Sequence, residues 1–243
     1  MDFNKETVGK IAANAKAAQE AWRDFVHNKK MCECFHLRPT ASGITIISTL
    51  PYAPMRGIPL NAMKLKPLLD EISANINVLL GIDDDKSMEL LDKWGFNRRK
   101  PGGFLEENAQ AFFIQGMILK QEMYEGIEFV ASELVLADSS CRFDVVGYKN
   151  NNIYIFEMKK DRTIAGLMQT ADYAKLTNEN KSHYLEVLKN YPHCPIADFD
   201  NVIPVAVMKY ATNSVTQLES KAKEAGVGLW FYERSIALRK ANL

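Results

Sequence analysis

The sequence predicts an α/β protein: a mixed central sheet flanked by helices, preceded by a smaller α+β region. Two observations predict it. Three strand-like runs, IEFVASELVLA, CRFDVVGYK and NIYIFEMKK, follow one another between residues 127 and 160 with only short breaks. Beyond them helix-compatible and strand-like runs alternate, the pattern of crossover connections in parallel or mixed sheets. A break at FNRRKPGG, residues 96–103, divides the chain into an N-terminal α+β region, 1–100, and a second region, 101–243. Pro, a Gly pair and a basic triplet make that break read as a linker.

The elements follow in order. Residues 3–29 read as one helix, Ala-rich and free of Gly and Pro after Gly9,. CECFHLR alternates and ITIIS is β-branched, so residues 31–50 read as two short strands separated by a break at Pro39–Gly43,. LPYAPMRGIP reads as loop because of its prolines and glycine,. Residues 61–80 suggest helix with a start or kink at Pro67, and Asp83 to Asp85 cap a further helix that Gly95 ends,. The second region opens on a helix at 104–122 and continues through the three strands. A helix over 164–177, the strand NVIPVAVM, a helix over 214–225 and a last strand, GVGLWFYE, complete the order αβββαβαβ.

Composition excludes several classes. The 30 basic and 30 acidic residues cancel, so any contact with phosphate depends on local groups of Lys and Arg,. Such groups stand at Arg98-Arg99-Lys100, Lys159-Lys160-Asp161-Arg162 and Arg239-Lys240. Cys32, Cys34, Cys141 and Cys194 are too few and too unevenly spaced for a disulfide scaffold,. With no apolar leader and no membrane-length apolar run, a cytoplasmic protein without a membrane partner is expected. No phosphate-cradling G-x-x-x-x-G-K-[ST] loop, G-x-G-x-x-G turn, H-E-x-x-H pair or Ser-His-Asp arrangement stands out,.

The chemistry concentrates in the hairpin CRFDVVGYKNNNIYIFEMKK. Strand side chains alternate faces, so Glu157 and Lys159 share one face with Ile153 and Ile155. Asn tolerates the positive φ of tight turns, so Asn150-Asn151 form the turn and Lys149 pairs with Asn152. Counting back sets Asp144 opposite Glu157. Like charges directly across a ladder destabilise it. A divalent cation resolves that conflict, because Mg²⁺ takes a few carboxylate oxygens together with water and substrate phosphate. Lys159, one pleat repeat from Glu157, is placed to assist a water or stabilise developing charge.

With its surroundings, this stretch resembles the PD-(D/E)xK, or restriction-endonuclease-like, nuclease superfamily. The resemblance rests on the αβββαβ order, on Asp144 in the second strand, and on Glu157-Met158-Lys159 in the third. Gln169-Thr-Ala-Asp-Tyr173 in the following helix is similar to the Q-x-x-x-Y motif of the RecB-like branch. The resemblance covers roughly residues 104–233, and Phe143 rather than Pro precedes the aspartate. It implies a restriction-endonuclease-like core with an active site at residues 127–176 and a nuclease cleaving nucleic acid, DNA first, with Mg²⁺ or Mn²⁺. Asp144, Glu157 and the Met158 carbonyl are the implied metal ligands and Lys159 assists the water. Gln169 and Tyr173 orient Lys159 or the substrate backbone. A further acid on the first core helix is implied, for which Glu106 and Glu107 both qualify. The more polar stripe through Gln110 favours Glu106. Glu133 on the first strand resembles an acid of several branches and equally suits a solvated strand position.

Cys32, Cys34 and His36 alternate and, with His193 or Cys194, are a candidate zinc set, although small core cysteines are the better reading. The cysteine placement does not match the iron–sulfur pattern of some RecB-like exonucleases. Residues 1–100 are expected to add substrate selection, a partner contact or a homodimer interface. The alternative function is a catalytically silent nuclease fold serving as a nucleic-acid-binding or protein-interaction module.

Overall fold

The computed structural model describes residues 4–81, 84–96, 106–136, 142–159, 163–209, 215–232 and 238–240. The predicted linker beyond Phe96, Asp83, Cys141, Arg98-Arg99-Lys100 and Lys160-Asp161-Arg162 lie outside these residues.

The predicted first helix divides in two. Helix α1, Lys5–Trp22, is capped by the Asn4 side chain, which accepts from the N–H groups of Glu6 and Thr7. Asn28 then caps a short α2, Lys29–Cys34,. Residues 32–34 are therefore helical, and the expected strand starts later, as β1, Phe35–Thr40, running through Pro39. It pairs antiparallel with β2, Gly43–Ser48. The end of the predicted loop belongs to a third strand, β3, Arg56–Leu60, paired with β2. The sheet order β1-β2-β3 puts Pro39 and Pro59 on edge strands, where a missing N–H costs least.

Helices α3, Ala62–Ala74, and α4, Ile76–Leu79, divide the predicted single helix, with Pro67 inside α3. Helix α5, Asp84–Trp94, ends at Gly95 with φ +91°. The Gly95 N–H donates to Asp92 O and the Phe96 N–H to Leu91 O, a helix stop that needs the left-handed residue. It turns Phe96 into the small sheet's core, 1% exposed, so this residue is not linker.

The second region is built on α6, Glu106–Leu119; β4, Glu128–Val135; β5, Arg142–Lys149; β6, Asn152–Lys159; and α7, Ile164–Glu179. An unpredicted helix, α8, Lys181–Leu188, precedes β7, Asn201–Lys209. Then come α9, Val215–Ala225; β8, Gly228–Tyr232; and an unpredicted β9, Leu238–Lys240. The six strands pair in chain order. Strands β4, β5 and β6 are antiparallel, β6, β7 and β8 are parallel, and β9 returns antiparallel. This is an α/β architecture with a mixed sheet and a separate antiparallel sheet.

Helices cover both faces of the large sheet. Phe113, Ile114 and Met117 of α6 pack on one face with Val145, Phe156 and Trp230. The other face takes Tyr173 of α7, Tyr184 of α8 and, from α1, Val8, Ile11 and Ala15. The second half of α1, Ala18 and Trp22, belongs to the core of the small sheet. One helix thus spans both cores. Among the described residues no helix is long and apolar enough to cross a membrane.

Candidate active site

The hairpin of β5 and β6 has the expected register. Lys149 pairs with Asn152, and the ladder runs to Val145 opposite Phe156. Asn150 and Asn151 make the turn with φ +48° and +62°. Asp144 and Glu157 stand one step beyond the last pair. There a side chain replaces the ladder: Asp144 Oδ2 accepts the Met158 N–H at 2.8 Å. The cause is visible in β5. Phe143 packs in the same cluster as Val146, while Val145 packs on the opposite face. Strict alternation would put Phe143 with Val145, so the strand turns over at Asp144. From α6, Gln110 Nε2 donates to the Asp144 carbonyl at 2.8 Å and holds the turned residue in place.

The charges do not balance. Glu157 is 3% exposed. Its Oε1 accepts from Lys159 Nζ at 2.6 Å, and its Oε2 has no hydrogen-bond partner. Burial, with Glu157 adding to it, pushes the Asp144 carboxyl up to about 7, against the Met158 N–H and Lys159. Burial also raises Glu157, and the Lys159 ammonium and the Asp144 N–H oppose it. Burial works against Lys159's charge too, but the hydrogen bond and charge of Glu157 outweigh it and hold the ammonium above its usual pKa. One lysine thus pairs with buried Glu157 and acts on half-buried Asp144 through its charge.

These donors fit a hard divalent cation. Two carboxylates and a main-chain carbonyl suit Mg²⁺ or Mn²⁺, which keep water and substrate phosphate as further ligands. Among the described residues no group of three or more His, Cys, Asp and Glu stands close enough to hold a metal by itself. A closed structural zinc site is thus not formed by them. The unpartnered Glu157 Oε2 is the atom a cation would satisfy.

The two candidate helix acids separate. Glu106 acts electrostatically on Asp144, Glu157 and Lys159. Glu107 approaches Arg56 of β3 at 4.0 Å. Gly166 seats Lys159: a Cβ there would lie 3.0 Å from Lys159 Cγ and 3.3 Å from Cε. Gln169 and Tyr173 follow Gly166 at helical spacing on the same face of α7. Gln169 Nε2 donates to the Tyr173 hydroxyl at 2.6 Å. Tyr173 is 8% exposed and packs on Phe143. Both line a groove of about 630 Å³ along α7, with Met168 and Leu176.

Other candidates fall elsewhere. Glu133 is ion-paired with Arg38 and lies 3.7 Å from Arg142. Cys32 and Cys34 lie on α2, not on a strand with His36. His36 is fully buried against Ser132 of β4, and His193 Nε2 accepts the Leu37 N–H at 2.9 Å. These contacts tie the small sheet to the large one. In the sequence Gln110 stands out only as a neighbour of Glu106, and Gly166 does not stand out. Gln110 leaves a signal, being polar on a helix whose neighbours Ala109, Ala111, Phe113 and Ile114 are all buried. Gly166 leaves none, because its role depends on a lysine from another element.

No protein-family model, no curated protein and no solved structure matches the chain.

Proposed function

We propose that the protein is a metal-dependent phosphodiesterase acting on nucleic acid, DNA first, with a restriction-endonuclease-like core in its second region. The observation that carries the reading is the site at Asp144: its carboxylate is held by the Met158 N–H beside buried Glu157, whose Oε2 lacks a partner. A chain selected for stability alone does not gather a buried and a half-buried carboxylate around one lysine,.

Asp144, Glu157 and the Met158 carbonyl would hold Mg²⁺ or Mn²⁺, which when bound activates water and neutralises charge on the phosphate. Lys159, fixed between Glu157 and Gly166, positions the attacking water and stabilises the developing charge,. Glu106 adds negative field from α6. Gln169 and Tyr173, in the wall of the α7 groove, orient the substrate strand. The N-terminal region contributes to substrate selection.

The test is incubation with linear and circular, single- and double-stranded DNA and with RNA, each with Mg²⁺, Mn²⁺ or chelator. Asp144→Ala and Lys159→Ala run beside the native chain. Cleavage that needs the cation and disappears in both variants supports the reading. Cleavage surviving both substitutions or persisting in chelator sinks the mechanism. No cleavage of any substrate favours the silent binding module.

A further inference from the structure

A second charged cluster lies beside the candidate site and has no role in the proposed chemistry. Arg38 of β1 and Arg142 of β5 converge on Glu133 of β4, Arg38 in direct contact and Arg142 Nη1 at 3.7 Å. Two guanidiniums on one carboxylate leave an excess positive charge. Glu133 itself has φ +48°, a conformation rare for a side chain other than Gly, Asn or Asp and often found at functional positions. Arg38 Nε is buried without a hydrogen-bond partner, and so is the hydroxyl of Tyr191, which interacts electrostatically with Arg38. Two buried polar groups here thus lack partners. Native structures rarely leave buried donors in that state.

A cavity of about 380 Å³ opens here, lined by Thr7, Arg38, Thr40, Glu133 and Arg142 among others. Planar guanidiniums beside hydroxyls are the chemistry that recognises phosphate. The cavity's place in the sheet is equally specific. Ser132 pairs with Val145 and Leu134 with Phe143, so Glu133 stands between them at the position that faces Asp144. Arg142 precedes Asp144 by two residues, roughly 7 Å along the strand.

We propose that this cavity binds a phosphate of the nucleic-acid strand next to the one being cleaved. Arg142 and Arg38 are its anion ligands, and Glu133 is the strut that sets their spacing. The cavity draws on α1 and β1 as well as on the large sheet, so substrate selection by the N-terminal region acts through it. Calling the ligand part of the substrate rests on the nuclease reading; phosphate binding itself does not. The phosphate is an internal diester or a terminal monoester.

The full chain in chelator is compared with Arg142→Gln, chosen because the Arg142 side chain is 55% exposed. Arg142→Lys, which keeps the charge, is the second variant. Thermal melts with inorganic phosphate, against chloride at equal ionic strength, read the site without catalysis. Anisotropy with single-stranded oligonucleotides carrying 5′-phosphate, 3′-phosphate or hydroxyl ends reads its source. Phosphate should raise the melting temperature of the native chain and not that of Arg142→Gln, with Arg142→Lys between them. Oligonucleotide binding should weaken about tenfold in Arg142→Gln, with a salt slope shallower by about one. Loss confined to one phosphorylated end assigns a terminal monoester, and equal loss on all three assigns a diester. A phosphate shift and oligonucleotide affinity unchanged in Arg142→Gln overturn the proposal. Phosphate binding that depends on Arg142 in a protein that cleaves nothing upholds the cavity and removes the nuclease. Cleavage with no phosphate binding at Arg142 does the reverse.

Discussion

Replacing Lys159 with Met should destabilise the protein far more than a surface substitution. The Glu157 carboxylate is 4% exposed at its side chain, and Lys159 is its one hydrogen-bonded cation among the described residues. Removing one partner of a buried ion pair costs about 3–5 kcal/mol because the other charge stays buried. Lys159 keeps 22% of its side chain exposed, which places the cost near the lower end, about 3 kcal/mol. In a chain of this length that lowers the melting temperature by about 6–12 °C. The double variant Glu157→Gln with Lys159→Met removes the orphaned charge and should recover most of the loss. Denaturant unfolding at pH 8 in chelator measures all three proteins. Mg²⁺ should then stabilise the native chain, by about 2.7 kcal/mol at a hundredfold excess over Kd, and leave the double variant unmoved. A Lys159→Met variant within about 0.5 kcal/mol of the native chain, the range of ordinary surface changes, would refute the account of the pair. So would a double variant no more stable than the single one.

Gly166→Ala should leave stability unchanged or slightly raised, since Ala is favoured in helices by about 1 kcal/mol. Its Cβ would meet Lys159 Cγ at 3.0 Å, and a catalytic group displaced by a fraction of an ångström should lower kcat about tenfold with little change in KM. Glu106→Gln should reduce cleavage more than Glu107→Gln, because Glu106 acts on Asp144, Glu157 and Lys159 whereas Glu107 approaches Arg56; equal effects in steady-state assays would erase the distinction. Burial lowers the His193 pKa to about 3, so the folded chain keeps it neutral while the unfolded chain takes up a proton below about 6.5. The stability from this residue is present above that pH and lost as pH falls, about 2 kcal/mol by pH 5. Denaturant melts at pH 7.5 and 5 should show the native chain losing that much more than His193→Gln, and parallel losses would contradict it.

The hairpin was legible because its information is local. Alternation in NIYIFEMKK and the positive-φ tolerance of Asn150-Asn151 specify both strand and register without help from the rest of the fold,. The turnover at Asp144 was not legible. It needs Phe143 to prefer Tyr173 and Tyr184 on α7 and α8 over the face that alternation assigns it. In the N-terminal region, CECFHLR mimics a strand by alternating, but Met31 and Cys34 are buried three apart, as a helix requires,. Asn28 marks that new start, although a long Ala-rich stretch before it gives no cue to stop at Trp22. Pro59 concealed β3, since a proline argues against a strand until the strand is known to lie at an edge,.

The division at residue 100, drawn from a Pro- and Gly-containing break, has a consequence that can be tested by truncation. Val8, Ile11 and Ala15 of α1 are at most 2% exposed and belong to one cluster with Phe143, Tyr173 and Tyr184. Phe143 adjoins Asp144 in the chain, so this cluster supports the backbone that carries the catalytic carboxylate. His36 closes over Ser132, Leu37 bonds His193, and Arg38 holds Glu133 across from Asp144. A fragment of residues 101–243 would expose that cluster and leave Ser132 and Glu133 without these partners. Burying large apolar side chains is worth about 1.5–3 kcal/mol each, so losing several exceeds the margin of a typical domain. The fragment should therefore bind a hydrophobic dye, melt without a cooperative transition and show no cleavage. A soluble fragment with a sharp unfolding transition and native activity would show instead that the first hundred residues are an appendage to a self-sufficient site.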